Sequence, residues 1–505
     1  MTSLLDGLAV NPAAPAHLLL RLLEPSYESG WTALASRRPS FPDEVAAAIV
    51  THPLPRVRSA LARNPFVDPA VRGLLVDDPE WIVRAHLSGR PGRDGKRPVR
   101  PLPDPVVDRM LTTYDNDCLQ ELVVSGQIAL RFQLTYCRHP FASVRRMAVS
   151  LWTLLSDDER AALLTDPHPQ VRAAAERVLE TEDAEAMERE LGPLPAPRSH
   201  ATTHILVNRP LTRTVVDWLL SEDDHENQWV LAHNHSTPPD VVAALVAHPD
   251  PKVRLELAHR DDLAPEMVNS LARDPDPRVR TAVSLRSGLS EDERAAIDYT
   301  VNTDPDDEDF GPRAHHLRPA PDPADTARYA RSRHPLLRRR AAQDPGLPAA
   351  LVALLARDED PGVRMLLAHN HPAPPPELLL RSHLEHPSGT GGLLPEHPRF
   401  PVAGLAARFA EADAPAERRL AVLDPGLRPD TAGLLTRDPD PTVRAGAARH
   451  PRLPAERLLA LLDDEELGAH AAANPALPVR VMYGLLSDQA AGPPASRPAG
   501  NGAQT

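Results

Sequence analysis

Arginine recurs at one position of a repeated phrase, where it could bind phosphate groups. The phrase Asp-Pro-x-Val-Arg occupies residues 250–254, 276–280, 360–364 and 440–444, with looser copies at 54–58 and 168–172. The arginines at this position are Arg58, Arg84, Arg145, Arg172, Arg254, Arg280, Arg338, Arg364 and Arg444. A ladder of guanidinium groups along a groove would bind a phosphate backbone. The alternative is that each arginine ties its repeat to the next one. We favour this alternative, because a residue present in every unit usually serves the repeat itself.

Two histidine triplets suggest metal or nuclease chemistry. They are His233-Asn234-His235 and His369-Asn370-His371. The nuclease motif with these letters spreads its residues over a hairpin and a helix, whereas these residues are contiguous. A zinc site needs three or four ligands, and neither cysteine lies near either triplet in sequence. Each triplet falls where a helix is predicted to end, and there histidine can contact the last carbonyls of the helix. We therefore predict a structural role and no metal.

The remaining signals for chemistry are weak. The acidic run at 304–309 lacks the alternating ligands and central glycine of a calcium-binding EF-hand loop. No Gly-x-Ser-x-Gly, phosphate-binding Gly-Lys-Ser/Thr or His-Glu-x-x-His motif occurs. The sequence predicts no catalytic residue, no cofactor and no metal, and so a protein that is not an enzyme.

Composition narrows the classes of partner and compartment. The net charge is −14, and only Lys96 and Lys252 among the 56 basic residues are lysine. An acidic chain tends to repel nucleic acid and anionic membranes. The two cysteines, Cys118 and Cys137, cannot form a disulfide framework and fit a reducing interior. The amino terminus resembles no signal peptide, and no stretch reaches the roughly 20 apolar residues of a membrane span. We expect a cytoplasmic protein that binds no membrane.

The elements that position these residues are short helices. In the unit from Asp438 to Asp463, Asp440 is predicted to cap a helix that starts at Pro441 and ends before Pro451. Val443 and Ala447 lie on one face of this helix. A second helix follows, with an apolar face of Leu458, Leu461 and Leu462. The 58 prolines of the chain fit helices that restart often.

These units repeat at a nearly fixed period. Asn11-Pro12, Arg38-Pro39, Asn64-Pro65 and Arg90-Pro91 lie 27, 26 and 26 residues apart, and Asn474-Pro475 is a later copy. Helices of two turns are too short to persist alone, so neighbouring units must hold them. The sequence therefore predicts an all-α fold, an α-solenoid of paired helices with a period of about 24–27 residues. Capping boxes at Ser156 and Ser290 open two similar segments, which leaves duplication of a block of repeats open.

The combination x-Pro-x-Val-Arg, Ala-x-Asn/His-Pro, Leu-Pro and Leu-x-x-Leu resembles the leucine-rich repeat variant family and, more distantly, HEAT-like repeats. The resemblance implies a right-handed superhelix of short α and 3₁₀ helices, with protein binding as its usual role. Some members carry an amino-terminal cysteine cluster that binds iron and sulfur. Here no cysteine precedes Cys118, so that feature is absent.

Breaks in the period suggest the following division. It comprises amino-terminal repeats (1–90), an irregular insertion with atypical helices (91–135), central repeats with a linker near 181–205 (136–296), an acidic loop (297–330), carboxy-terminal repeats (331–487) and a disordered tail (488–505).

The sequence favours a non-catalytic scaffold that binds a protein partner. The candidate contact residues are Trp81, Trp152, Trp218, Trp229, Arg331, Arg333 and Arg339. One alternative is a nucleic-acid-binding or DNA-repair module, which would need arginines outside the ladder to cluster on one face. A second alternative is an accessory factor for modification of a partner protein.

Overall fold

All regular secondary structure of the described residues is helical. The computed structural model describes residues 3–92, 99–180, 183–196, 199–221, 228–302, 323–386 and 391–491. The acidic run at 304–309 and most of the predicted tail at 488–505 lie outside these ranges. Repeated short helices without strands in the described residues confirm the predicted all-α solenoid class.

The helices of the first 148 residues alternate between the first and second positions of a repeat. They are α1 (Leu4–Val10), α2 (Ala16–Arg21), α3 (Trp31–Arg37), α4 (Asp43–Val50), α5 (Pro55–Ala62), α6 (Pro69–Gly73), α7 (Trp81–Ser88), α8 (Asp104–Thr113), α9 (Asn116–Val124), α10 (Leu130–Gln133) and α11 (Ala142–Ala148). Short 3₁₀ helices lie at Pro25–Gly30 and Tyr136–Arg138.

The helices of residues 149–401 follow the same pattern. They are α12 (Asp157–Leu164), α13 (Pro169–Glu180), α14 (Ala184–Leu191), α15 (His200–Asn208), α16 (Arg213–Ser221), α17 (Trp229–His233), α18 (Pro239–Leu245), α19 (Pro251–Ala258), α20 (Pro265–Leu271), α21 (Pro277–Ser284), α22 (Glu291–Ala295), α23 (Pro323–Tyr329), α24 (Pro335–Ala342), α25 (Ala349–Leu355), α26 (Pro361–Asn370) and α27 (Pro376–Glu385). Here 3₁₀ helices lie at Val149–Leu154 and Gly391–Glu396.

The described residues after 401 continue the pattern. Their helices are α28 (Leu405–Phe409), α29 (Pro415–Ala421), α30 (Pro429–Leu435), α31 (Pro441–Ala448), α32 (Ala455–Leu461), α33 (Gly468–Ala472) and α34 (Val479–Ala491).

The helices form two compact units. The first, which we call the terminal unit, combines Met1–Ala148 with Val402–Thr505. The second, the central unit, is Val149–Pro401. The terminal unit therefore contains residues from the beginning and from the end of the sequence.

The repeated Asp-Pro dipeptide starts helices in the predicted way. The Asp440 carboxylate accepts hydrogen bonds from the backbone N–H groups of Thr442 and Val443, and Pro441 occupies the first turn. Asp250, Asp276 and Asp360 cap their helices similarly. These caps satisfy amides that have no partner within the helix, which helps helices of about eight residues to form.

Stacking of first helices builds the cores. In the central unit, α17 packs on α19 and α19 on α21, and Val230, Val253 and Val279 are fully buried between them. In the terminal unit, α1, α3, α5, α7 and α9 stack in order, and so do α29, α31 and α33. Each helix thus takes most of its stability from its neighbours.

Candidate functional site

The guanidinium groups of the arginine ladder donate hydrogen bonds to backbone carbonyls of their own repeats. In each repeat that carries a ladder arginine, the Nη1 atom donates to the backbone carbonyl of the residue six positions earlier. Arg58 donates to His52 in this way, and Arg254 donates to His248 at 2.6 Å. The other arginines of the ladder make the same bond, namely Arg84, Arg145, Arg172, Arg280, Arg338, Arg364 and Arg444. These guanidinium groups hold the loop before their own helix.

Many ladder arginines also bind a carboxylate of the next repeat. Arg254 pairs with Asp274 at 2.7 Å, and Arg338 pairs with Asp358 at 2.6 Å. Arg418 makes the equivalent pair with Asp438 at 2.7 Å. Sequence reasoning missed Arg418, because Glu417 stands where the phrase has valine. The signal that could have revealed it is Asp438, which stands at the same spacing from its arginine as the other two aspartates.

A second ladder ties the ends of several first helices to the repeat before them. Its residues are asparagine, arginine or histidine, and their side chains donate to backbone carbonyls. Asn64 Nδ2 donates to Ala35 and Arg38, and Asn474 Nδ2 donates to Ala448 and His450, all at 2.8–2.9 Å. Each such side chain replaces a hydrogen bond that the end of the preceding helix lacks.

This second ladder continues from the last repeat to the first. Asn11 Nδ2 donates to the carbonyls of Ala472 and Asn474 at 2.8 and 2.7 Å, and Arg38 in turn donates to the carbonyls of Ala9 and Asn11. For Asn11, α33 therefore occupies the place of the preceding repeat. The Asn-Pro copies at 11 and 474 were visible in the sequence, but nothing in it showed that they are neighbours in space.

Close helix packing completes this junction of the first and last repeats. Helix α1 packs on α33, and a Cβ atom added to Gly7 would lie 2.1 Å from the carbonyl oxygen of Ala469. On the facing side, a Cβ on Gly468 would lie 2.9 Å from the carbonyl oxygen of Leu462 and 3.4 Å from Leu4. Only glycine at position 7 allows the two backbones to approach this closely.

A pocket of about 240 Å³ lies at this junction. Its walls come from the first and the last repeats, and they are Asp6, Gly7, Val10, Arg37, Phe66, Arg449, Ala469 and His470. Arg37 and Arg449 are exposed. In the described part of the chain, neither of these two guanidinium groups has a carboxylate partner or a hydrogen-bond acceptor. They contrast with the ladder arginines, which all have such partners.

The pocket is electrostatically positive. The crowded surroundings of Arg449 and the charge of Arg37 lower the pKa of Arg449 from its ordinary value, although its side chain reaches solvent. Burial, and then the charge of Arg449, lower the pKa of His470. The Nδ1 atom of His470 is buried and has no partner among the described residues. Asp6 is the acid of the pocket, and its carboxylate accepts a hydrogen bond from the backbone N–H of Ser3 at 3.1 Å.

The four tryptophans predicted to contact a partner differ in their exposure to solvent. Trp81 is 50% exposed, and its Nε1 donates to the Asp115 carboxylate at 2.8 Å. Trp152 is buried, and Trp218 and Trp229 pack at the edge of the central core. Trp81 is therefore the one of the four that presents a large apolar surface.

The arginines predicted to contact a partner do not form a basic patch. Arg339, which the sequence places among the partner-contact residues, has a side chain that is 1% exposed and pairs with Asp360 at 2.9 Å. Arg331 donates to the Ala327 carbonyl, and Arg333 lies 3.5 Å from Asp292 at the surface. The sequence could not show which of these arginines is buried, because burial depends on the residues of the following repeat.

The histidine triplets and the cysteines have structural surroundings. Asn234 belongs to the second ladder, and His371 Nδ1 accepts from the Ala373 amide. Cys118 is buried, and burial raises its thiol pKa to about 11. Among the described residues no group of three or more His, Cys, Asp and Glu side chains could hold a metal ion. No helix in the described ranges is long and apolar enough to cross a membrane.

The comparison with protein families agrees with the repeat pattern. Residues 441–466 match the family model described as leucine rich repeat variant, a HEAT-like helical repeat family, which confirms the predicted resemblance in this repeat. A search of curated proteins found no match.

Proposed function

We propose that this chain, which carries a repeat of the leucine rich repeat variant family, is a non-catalytic scaffold that binds a protein partner. The observation that carries the proposal is a concentration of exposed apolar side chains in one part of the terminal unit. Ten of the eighteen exposed large apolar side chains in the described ranges fall between residues 54 and 141, in the terminal unit. Neighbouring exposed apolar residues are typical of protein interaction surfaces, whereas scattered ones are ordinary.

Three of these side chains lie at the starts of two packed helices, and we define the apolar rim as Leu54, Trp81 and Ile82. Leu54 directly precedes α5, Trp81 and Ile82 are the first residues of α7, and α5 packs against α7. Other repeats carry proline followed by a polar residue at this position, as in Pro251-Lys252 and Pro277-Arg278. An exposed tryptophan that replaces a helix-starting proline is better explained by partner contact than by folding, because tryptophan is a frequent anchor of interfaces.

Replacing Trp81 by alanine tests this proposal. We expect Trp81→Ala to fold normally, since half of the side chain is exposed and it is not in the core. Affinity capture of the tagged chain from its host, followed by mass spectrometry, should lose a stoichiometric protein partner. Nuclease treatment should leave that partner bound to the unaltered chain.

The matched control is Leu434→Ala. Leu434 is 67% exposed on α30 and lies away from the rim in sequence. This variant should retain the partner. Equal recovery with Trp81→Ala and the unaltered chain would refute the role of the rim. Loss of all partners on nuclease treatment would favour the nucleic-acid alternative instead.

A further inference from the structure

Two arginines, one from the first repeats and one from the last, share the pocket at the junction. Arg37 ends α3, and Arg449 follows α31 directly. Between α31 and α3 in the stack lie α33 and α1, whose small residues Ala469 and Gly7 form part of the pocket wall. Small wall residues leave open space between the two longer side chains.

Both guanidinium groups are available to a ligand. Neither has an ion-pair or hydrogen-bond partner in the described residues, although the chain carries an excess of 14 negative charges. The Nδ1 atom of His470 is a third polar group of the pocket without a described partner. Unpaired polar groups in a recess favour a ligand that supplies the missing acceptors.

We propose that this pocket binds a phosphate group, with Arg37 and Arg449 on two sides and His470 as a further donor. An arginine fork binds two oxygens, so a carboxylate is satisfied by one arginine. A phosphate has more acceptor oxygens and about two negative charges, which match two arginines. The volume of about 240 Å³ lies below the roughly 300–1,000 Å³ of sites for drug-sized ligands, which favours a small group.

A bound phosphate would also hold the first and last repeats together, because its partners come from both. Any ligand that binds only the folded state raises stability. This inference is independent of the apolar rim, since the rim and the pocket share no residue.

Isothermal titration calorimetry of the full-length chain with inorganic phosphate tests the inference. We expect saturable binding, and Arg37→Gln or Arg449→Gln should weaken it roughly tenfold or more, as the loss of a charged hydrogen bond does. The control is Arg63→Gln, which removes an arginine after α5 that lies outside the pocket and should leave binding unchanged. Circular dichroism would verify that each variant is folded.

Two further arms identify the source of the phosphate. A phosphoserine peptide that binds more tightly than inorganic phosphate would indicate a phosphorylated partner, while equal affinity would indicate the free anion. The same peptide without phosphate should not bind in the pocket. Phosphate also stabilises folded proteins in general, because it is excluded from their surface. This general effect would be the same in Arg37→Gln and Arg449→Gln, so it can be told apart from binding in the pocket. Absence of phosphate binding, or binding that survives both arginine substitutions, would overturn the inference.

Discussion

Arg339→Met is expected to lower the free energy of unfolding by about 3–5 kcal/mol, because it leaves a buried carboxylate without its partner. Arg339 and Asp360 are 1% and 6% exposed and join at 2.9 Å. The Asp360 carboxylate also caps α26 through the Val363 amide. Urea unfolding followed by circular dichroism would measure the loss. Asp360→Asn added to Arg339→Met should recover part of it, since asparagine can still cap the helix but carries no charge.

The chain provides a matched control for this pair. Arg419 and Asp440 occupy the same repeat positions as Arg339 and Asp360, but Arg419 is 49% exposed and the pair is 3.4 Å apart. Arg419→Met should leave the unfolding midpoint nearly unchanged, because exposed pairs contribute little. Equal losses from Arg339→Met and Arg419→Met would show that burial of the ion pair is not what matters.

Gly7→Ala is expected to open the junction of the first and last repeats. The new Cβ would meet the Ala469 carbonyl oxygen at 2.1 Å and Ala472 Cβ at 2.8 Å. Backbone atoms cannot turn aside as a flexible side chain can, so α1 and α33 must separate. We expect a loss near the upper end of the overpacking range, about 3 kcal/mol. Hydrogen exchange followed by mass spectrometry should show faster exchange in both α1 and α33.

Gly433→Ala is the control for this substitution. Gly433 also lies inside a helix, α30, but nothing lies within 4 Å of its added Cβ. Alanine there should stabilise the chain by roughly 0.5–1 kcal/mol, because glycine disfavours the helix. Faster exchange confined to α1 in Gly7→Ala, with α33 unaffected, would contradict contact between the two helices.

Local features of the fold were predictable from the sequence. Asp440, Pro441 and His450-Pro451 mark where α31 begins and ends, and the capping boxes at Ser156 and Ser290 form as predicted. Each of these signals acts within one helical turn, so neighbouring letters are sufficient to read it.

Burial between repeats was not predictable in the same way. Arg339 and Arg419 stand in equivalent Arg-Arg pairs, yet only Arg339 is buried. The difference lies in the next repeat, where Gly362 corresponds to Thr442. A Cβ at Gly362 would lie 2.2 Å from Arg339 Nε, so the missing side chain makes room for the guanidinium group. The sequence around Arg339 alone does not show that a glycine in the next repeat makes room for its side chain.

The pocket was hidden for another reason. Arg37 and Arg449 are far apart in the sequence, and each stands at the variable position before an Arg-Pro or His-Pro dipeptide of the repeat. Their proximity depends on the packing of α33 against α1, which joins the first and last repeats. No pattern within a single repeat indicates which distant repeat will be its neighbour in space.

Spin labels at Ala13 and Ala476 would test the junction most directly. Both residues are exposed and follow the ladder residues Asn11 and Asn474, to whose Oδ1 atoms their amides donate at 2.9 and 2.8 Å. Packed helices lie about 8–10 Å apart, so cysteine-attached labels should be separated by roughly 10–20 Å. Electron paramagnetic resonance should detect that short separation, and Gly7→Ala should lengthen it. A long or broad distribution in the unaltered protein would contradict stacking of the first repeat on the last.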